Sequence, residues 1–382
     1  MTTSLSLDTY RLLGRSGLRI SPLALGTMTF GTDWGWGSNE HEARRIFDAY
    51  VDRGGNFIDT ANQYTNGTSE RFIGEFAREK RDNLVIATKY TLSSRPGDPN
   101  SGGNHRKSMV RSVEASLERM KADYIDLLYL HAWDFTTPVE EILRAMDDLV
   151  SAGKVVYVGI SDTPAWQVSR MQTIADLRGW APLIALQIEY SLIERTVERD
   201  LIPMAREMGL GVIPWSPLAS GVLTGKYSKA DLEIGSGSAS AVGTRKNVAV
   251  ANGALSERGL AIADVVKAVA TEAGKSPSQI ALAWTLLNPT VTAPIMGVRT
   301  LTQLEDNLGA LDVKLTDDQR ARLDEASAID LGFPHEFLAR PMTRNVMFGD
   351  VKIEPIQSPR LAQHDPASFR LRPRIPDAGD AR

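Results

Sequence analysis

Cysteine is absent from the 382 residues. That one absence excludes disulfides, zinc–thiolate sites and a cysteine nucleophile together. Aromatic residues make up only 7% of the chain and histidine occurs five times. No second histidine or acidic cluster stands at ligand spacing from any of these, so no metal is expected. Nor is there a block of like charge: 43 basic residues face 47 acidic ones, a formal net charge of −4. Such a balance offers no basic footprint to nucleic acid or to an anionic membrane, and neither partner is expected. No uninterrupted apolar stretch has the length of a membrane span. The opening residues, MTTSLSLDTYRLLGR, lack the apolar core of a secretory leader, so a cytoplasmic location is expected. A Rossmann fingerprint is missing too, and Gly235-Ser236-Gly237 follows no strand and opens no helix, which reads as a linker.

What is present is material for a large soluble core, 42% hydrophobic and 24% charged. From about residue 20 to about residue 300, short apolar runs alternate with longer amphipathic stretches. The runs predict strands at Leu23–Leu25, Asn56–Asp59, Leu84–Thr88, Ile125–Leu130, Val155–Ile160, Ile184–Ile188, Gly211–Pro214 and Thr292–Ile295. Several are apolar at consecutive positions, as parallel strands covered on both faces require. Between them lie helical patterns such as SNEHEARRIFDAYVDRGG and TPVEEILRAMDDLVSAG, with Ser38 expected to cap the first and Gly54 and Gly153 to end them. Eight such alternations favour an α/β fold of the (β/α)8 TIM-barrel type over a doubly wound sheet, which needs fewer strands.

Three segments fall outside the alternation. YRLLGRSGLRI, residues 10–20, predicts a hairpin plugging the barrel floor. Residues 228–259, rich in Gly, Ser and Ala, predict a long loop after the seventh strand. The Pro- and Arg-rich end, 358–382, predicts a surface tail. Residues 1–357 are therefore expected to form a single domain, with the barrel over about 21–330.

A TIM barrel places its chemistry at the carboxyl ends of the strands. Asp59 ends the second predicted strand and Tyr64 follows it; Lys89 follows the third and His131 the fourth. An isolated phenol is a poor acid or base at neutral pH. A neighbouring ammonium, Lys89, is expected to lower its pKa, with Asp59 holding that ammonium and His131 aiming a donor at a carbonyl oxygen. None of the four supplies a hydride, so a redox cofactor is required.

These residues lie within eight ordered motifs: LGTMTFG (25–31), NFIDTANQYTNGTSE (56–70), IATKY (86–90), LLYLH (127–131), GKVVYVGIS (153–161), QIEYS (187–191), IPWSPLASGVLTGKY (213–227) and PIMGVRTLTQLEDN (294–307). Together they resemble the aldo-keto reductase superfamily across the hairpin and barrel. The WSPLASG and QLEDN segments resemble the branch that includes potassium-channel β subunits, in a bacterial member.

The resemblance implies an NADP-dependent oxidoreductase that passes a hydride between NADPH and an aldehyde or ketone, reversibly. It makes Asp59, Tyr64, Lys89 and His131 the catalytic tetrad, with Tyr64 as general acid and base. Gly26, Thr27 and Met28 match the segment lining the cofactor, and Trp215 matches the ring that stacks on the nicotinamide. Ser161 and Gln187 match the pair holding its carboxamide. Ser216, Pro217, Leu218, Gly221 and Lys226 match the pyrophosphate loop. Gly297, Arg299, Gln303, Asp306 and Asn307 match the adenosine site, where Arg299 suits a 2′-phosphate. Arg245 matches a basic residue closing the long loop over the phosphates. One departure stands out: Asp162 replaces the usual asparagine, and a carboxylate accepts but does not donate.

Phe30, Trp34, Tyr64, Tyr90 and Trp133 are expected to line a pocket for an apolar or ring-bearing carbonyl, and His41, His105, His335 and His364 to lie on the surface. A cofactor-binding regulatory subunit with little turnover is the alternative on the same fold. A metal-dependent barrel hydrolase lacks the ligands.

Overall fold

The computed structural model describes residues 5–233, 245–349 and 351. Its strands are β1 (Arg11–Leu12), β2 (Arg19–Ile20), β3 (Ala24–Gly26), β4 (Phe57–Asp59), β5 (Val85–Tyr90), β6 (Ile125–Leu130), β7 (Val155–Ser161), β8 (Leu183–Glu189), β9 (Gly211–Trp215) and β10 (Ile295–Gly297). The last eight form one parallel sheet in the order β10-β3-β4-β5-β6-β7-β8-β9, with helices in the connections. The ring nearly closes where Val212 N donates to Thr290 O at 3.2 Å and Thr292 N donates to Val212 O at 2.8 Å. This is the expected (β/α)8 TIM barrel.

The apolar runs locate every barrel strand, yet several strands extend one or two residues past the run. The added residues are Gly26, Lys89, Tyr90, Ser161, Glu189 and Trp215. Ladder hydrogen bonds use the backbone and continue after the side chains turn polar, so hydropathy stops short. The eighth strand is displaced, from Thr292–Ile295 to Ile295–Gly297, because Pro294 cannot donate to a ladder.

Two separate apolar clusters reveal which way each strand residue faces. Phe57, Val85, Ala87, Leu127, Tyr129, Ala185 and Ile213 cluster with Leu13 and Ile20 of the hairpin and fill the lumen. Their neighbours of opposite parity, including Ile58, Ile86, Leu128, Val158, Leu186 and Val212, belong to the larger cluster shared with the helices. The two-residue period of a strand then carries Asp59, Lys89, Gln187 and Trp215 to the inside of the barrel mouth.

The hairpin is present, β1 pairing antiparallel with β2, and it closes the floor. Arg15 N donates to Gly209 O at 2.8 Å, and Arg11 Nη1 donates to Thr292 O at 3.1 Å. Gly14 makes this seat possible. Its φ is +55°, and a Cβ there would lie 2.2 Å from Ile184 O.

Local details depart from expectation. Asn39, not Ser38, caps helix Glu40–Asp52, accepting from Glu42 N; Ser38 Oγ instead donates to Arg299 O at 2.8 Å. Gly54 and Gly153 do follow their helices with positive φ. His105 is not a free surface residue: its Nδ1 accepts from Ser108 N at 3.2 Å and caps helix Arg106–Met120. The 228–259 segment is no continuous loop, since it holds helices Ala230–Glu233 and Arg245–Ala251 and the start of Glu257–Ala273. Its small residues hide short helices from a reading based on composition. The described residues from Asp330 onward belong to a second unit, which contains short helices His335–Ala339 and Pro341–Phe348. The expected tail, 358–382, and His364 lie outside the described residues.

Replacing Gly14 with alanine is expected to destabilise the protein by about 2 kcal/mol or more, through positive φ and overlap with Ile184 O. Gly17, two residues beyond the pinch at Leu13–Arg15, has no atom within 4 Å of a built Cβ, and Gly17→Ala should shift stability by no more than about 0.5 kcal/mol. Urea unfolding midpoints of the two variants check the contrast.

Candidate active site

Three strand ends supply the centre of the site. Lys89, only 1% exposed at the end of β5, sends its ammonium inward to Asp59 at the end of β4. Its Nζ donates to Asp59 Oδ1 at 2.5 Å, to Thr60 O at 2.8 Å and to Tyr64 Oη at 3.2 Å. The other Asp59 oxygen accepts from Gln187 Nε2 at 2.8 Å. The buried ion pair is thus hydrogen-bonded on both partners, the condition under which such a pair is tolerated in a core. Burial alone lowers the lysine pKa, but Asp59 and Tyr64 outweigh it and hold the ammonium above its ordinary value.

Tyr64 sits in a tight turn after β4, where Thr65 and Asn66 have φ of 46° and 53°. The ring lies 6.0 Å from that of His131, edge to face. Burial is the largest influence on the phenol and pushes its pKa up; Lys89 pulls it down without prevailing. The expectation of a lowered tyrosine pKa is therefore corrected: the ammonium acts in the expected direction, and desolvation wins. His131 moves the other way, down to about 3, through burial and then the charge of Lys89. Its ring is neutral at pH 7, and its Nδ1 is buried without a partner among the described residues.

The remaining expected positions divide into free and engaged groups. Ser161 Oγ is buried and unpartnered among the described residues. Gln187 is committed to Asp59 through its amide nitrogen. Asp162, in a left-handed conformation with φ +39°, accepts from Trp215 Nε1 through Oδ1 at 2.9 Å. Thr27 is buried, and its hydroxyl donates to Asp59 O at 2.9 Å, tying the end of β3 to that of β4; Gly26 is buried and Met28 half-buried beside it.

After β9, Ser216 Oγ accepts from Ser220 N at 3.1 Å. Ala219, Ser220 and Gly221 follow with φ of 48°, 54° and 89°, a run that turns successive N–H groups toward one side. Pro217 is buried and Leu218 half-buried in this turn. Lys226 Nζ lies 2.8 Å from the position a Cβ on Gly221 would take.

After β10, Gly297, Arg299 and Gln303 are exposed. Gln303 Oε1 accepts from Arg299 N at 2.8 Å, while the Arg299 guanidinium has no partner among the described residues. Asp306 Oδ2 accepts from Ser276 Oγ at 2.9 Å, and Asn307 is buried. Arg245 begins a short helix, and its side chain lies outside the described residues.

Two expected pocket walls are corrected. Phe30 and Tyr90 are fully buried in the cluster shared with the helices, and Tyr90 Oη donates to Asn104 O at 3.2 Å. The parity of β5 turns Tyr90 outward when Lys89 turns inward. Trp34 and Trp133 remain half-buried on loops at the mouth. Each has an aromatic neighbour, Trp36 at 5.7 Å and Phe135 at 6.4 Å between ring centroids.

Glu189 was also missed. It lies two residues beyond Gln187 on the same strand face and pairs in register with Trp215. Burial and then the carboxylates of Glu194 and Asp162 push it up to about 7. The two-residue period alone could have flagged it.

The model of the Aldo/keto reductase family matches residues 22–328. The chain is 37% identical to norsolorinic acid reductase of Aspergillus flavus over 349 residues, covering 88% of this chain and 85% of that one. It is 38% identical to norsolorinic acid reductase B of Aspergillus parasiticus over 352 residues, 89% and 90% of the two chains. Aryl-alcohol dehydrogenase (NADP(+)) of Phanerodontia chrysosporium is 35% identical over 374 residues, 94% and 93%. These relatives are fungal enzymes by name, and they support the superfamily without its bacterial or channel-subunit branch.

Lys89→Met leaves the Asp59 carboxylate buried without its cation and is expected to cost about 3–5 kcal/mol of stability. Adding Asp59→Asn removes the stranded charge and should restore a substantial part of that loss. Urea unfolding of the single and double variants measures both; a single variant as stable as wild type would show that the pair is not buried as described.

Proposed function

We propose that this chain, which belongs to the aldo/keto reductase family, is an NADPH-dependent reductase of aldehydes and ketones, with aryl carbonyls as its preferred class. One observation carries the reading: Lys89 Nζ stands 2.5 Å from Asp59 Oδ1 and 3.2 Å from Tyr64 Oη at the inner face of the barrel mouth. A phenol whose pKa is raised stays protonated at neutral pH and is ready to give its proton to a carbonyl oxygen. Lys89 stabilises the phenolate that remains, and Asp59 fixes Lys89. Neutral His131 beside the phenol orients the carbonyl by hydrogen bonding without competing for the proton.

The surrounding residues suit a nicotinamide dinucleotide. Bound NADPH would supply the hydride that no side chain here can. Ser161 Oγ is an unspent hydrogen-bonding group for a carboxamide, and the half-buried Trp215 offers a ring face. The left-handed run at Ala219–Gly221, with Lys226 beside it, suits phosphates. The unengaged Arg299 guanidinium suits a 2′-phosphate. For the substrate class, the tryptophans and Phe135 at the mouth agree with a relative named as an aryl-alcohol dehydrogenase.

Steady NADPH consumption with 4-nitrobenzaldehyde is the expected result. Tight NADPH binding without turnover on a panel of aldehydes and ketones would favour the regulatory reading instead. Tyr64→Phe should lower kcat at least a hundredfold, in the range of about 10²–10⁴ typical of general acid catalysis, while NADPH binding stays within a few-fold. Loss of less than about tenfold removes Tyr64 from that role. Arg299→Ala should raise KM for NADPH roughly ten- to a hundredfold and leave KM for NADH almost unchanged, because a charge-assisted bond contributes about 1.5–3 kcal/mol. Equal loss for both dinucleotides would show that Arg299 supports the loop and not the phosphate.

A further inference from the structure

Asp162 is a carboxylate just past the end of β7, exposed to solvent, with no cation bonded to it among the described residues. Its side chain accepts from Trp215, whose indole Nε1 donates to Oδ1 at 2.9 Å. The residue also knits the strand ends through its backbone: Asp162 N donates to Gln187 O at 3.3 Å, and Asp162 O accepts from Trp133 N at 3.2 Å. Its φ of +39° lies in the left-handed region, where aspartate and asparagine are tolerated better than other residues with a side chain. That backbone setting aims the carboxylate across the end of β7 toward the end of β9, over the intervening β8.

Trp215 needs such an anchor. It is the last residue of β9, it is only half-buried, and Ser216 after it already leaves the strand with φ +52°. Lumen packing fixes one edge of the indole through the cluster that includes Ile213 and Ile295. A large ring held on one edge can still swing about its side-chain torsions, and a hydrogen bond from Nε1 removes that freedom.

We propose that Asp162 is a positioning residue that pins the plane of the Trp215 indole, and that it serves the nicotinamide through this ring and not by bonding to the carboxamide. The proposal rests on the cofactor reading above. It also accounts for the Asp in place of Asn: either side chain carries the oxygen that accepts the indole N–H, whereas the amide's donor plays no part in the clamp. Desolvation by the surrounding protein is the largest influence on the Asp162 carboxyl and raises its pKa; the bond from Trp215 and then the charge of Lys89 act the other way without prevailing. Glu189, on β8 between the two clamp residues, faces the same region as a second carboxylate.

The test uses Asp162→Gly, which accepts the left-handed backbone without a side chain, together with Asp162→Asn, Trp215→Phe and the double variant Asp162→Gly/Trp215→Phe. Two readouts are taken on the full chain. The first needs no cofactor: the indole N–H resonance of Trp215 in protein carrying ¹⁵N-labelled tryptophan, assigned by its loss in Trp215→Phe. It should move upfield and exchange faster in Asp162→Gly and stay close to its wild-type position in Asp162→Asn. The second is NADPH affinity by calorimetry. Asp162→Gly should weaken it roughly tenfold, Asp162→Asn by less than about twofold, and the double variant no more than Trp215→Phe alone.

Additive losses in the double variant, or an indole resonance indifferent to residue 162, would overturn the clamp. Tighter NADPH binding by Asp162→Asn would do the same, because only a direct bond to the carboxamide gains from the extra donor. Wild-type protein that binds no NADPH would instead defeat the cofactor reading, while the resonance would still decide the clamp.

Discussion

The site depends on one costly arrangement, a lysine and an aspartate sealed inside the barrel mouth. Two opposite charges at 1% and 2% exposure are sustained only if every lone pair and proton finds a partner. Here the demand is met from four directions: Asp59 and Tyr64 take lysine protons, Thr60 O takes the third, and Gln187 fills the free carboxylate oxygen. Each partner comes from the end of β4, β5 or β8 or from the turn after β4, so the register of three strands is fixed by one ammonium. Thr27, hydroxyl against Asp59 O, extends the constraint to β3.

That burial has opposite consequences for the two neighbouring titratable rings. The phenol of Tyr64 is pushed up and the imidazole of His131 down, because desolvation disfavours the charged form of each. The result at neutral pH is a protonated phenol beside an uncharged imidazole. Lys89 contributes to both effects, stabilising phenolate and repelling a second cation. One buried charge thereby helps assign distinct protonation states to two side chains whose states the sequence alone left open.

The sequence made the fold legible because the barrel strands lie in short apolar runs, several of them apolar at consecutive positions, separated by helices with clear periodicity. It made the four candidate residues Asp59, Tyr64, Lys89 and His131 legible because titratable residues at or just past the ends of such runs are anomalous. The expected pocket walls were less legible. Phe30, Tyr90, Trp34 and Trp133 look alike as aromatics near strand ends, yet the first two pack outward against helices. Only the parity of a strand or the path of a loop separates those cases. Asp162 illustrates the same limit from the other side: its departure from the family pattern was visible, while its bond to Trp215, 53 residues away, was not.

What the sequence determined by itself was the kind of chemistry available: residue types, their order, and their position at the ends of apolar runs, all set by local pattern. What the tertiary structure decided was the state of those residues. The net direction of the Tyr64 shift, the neutrality of His131, the commitment of Gln187 to Asp59 and the clamp of Asp162 on Trp215 depend on desolvation and on contacts between distant segments. Both vary with closure of the barrel, and neither is encoded in any single stretch of chain.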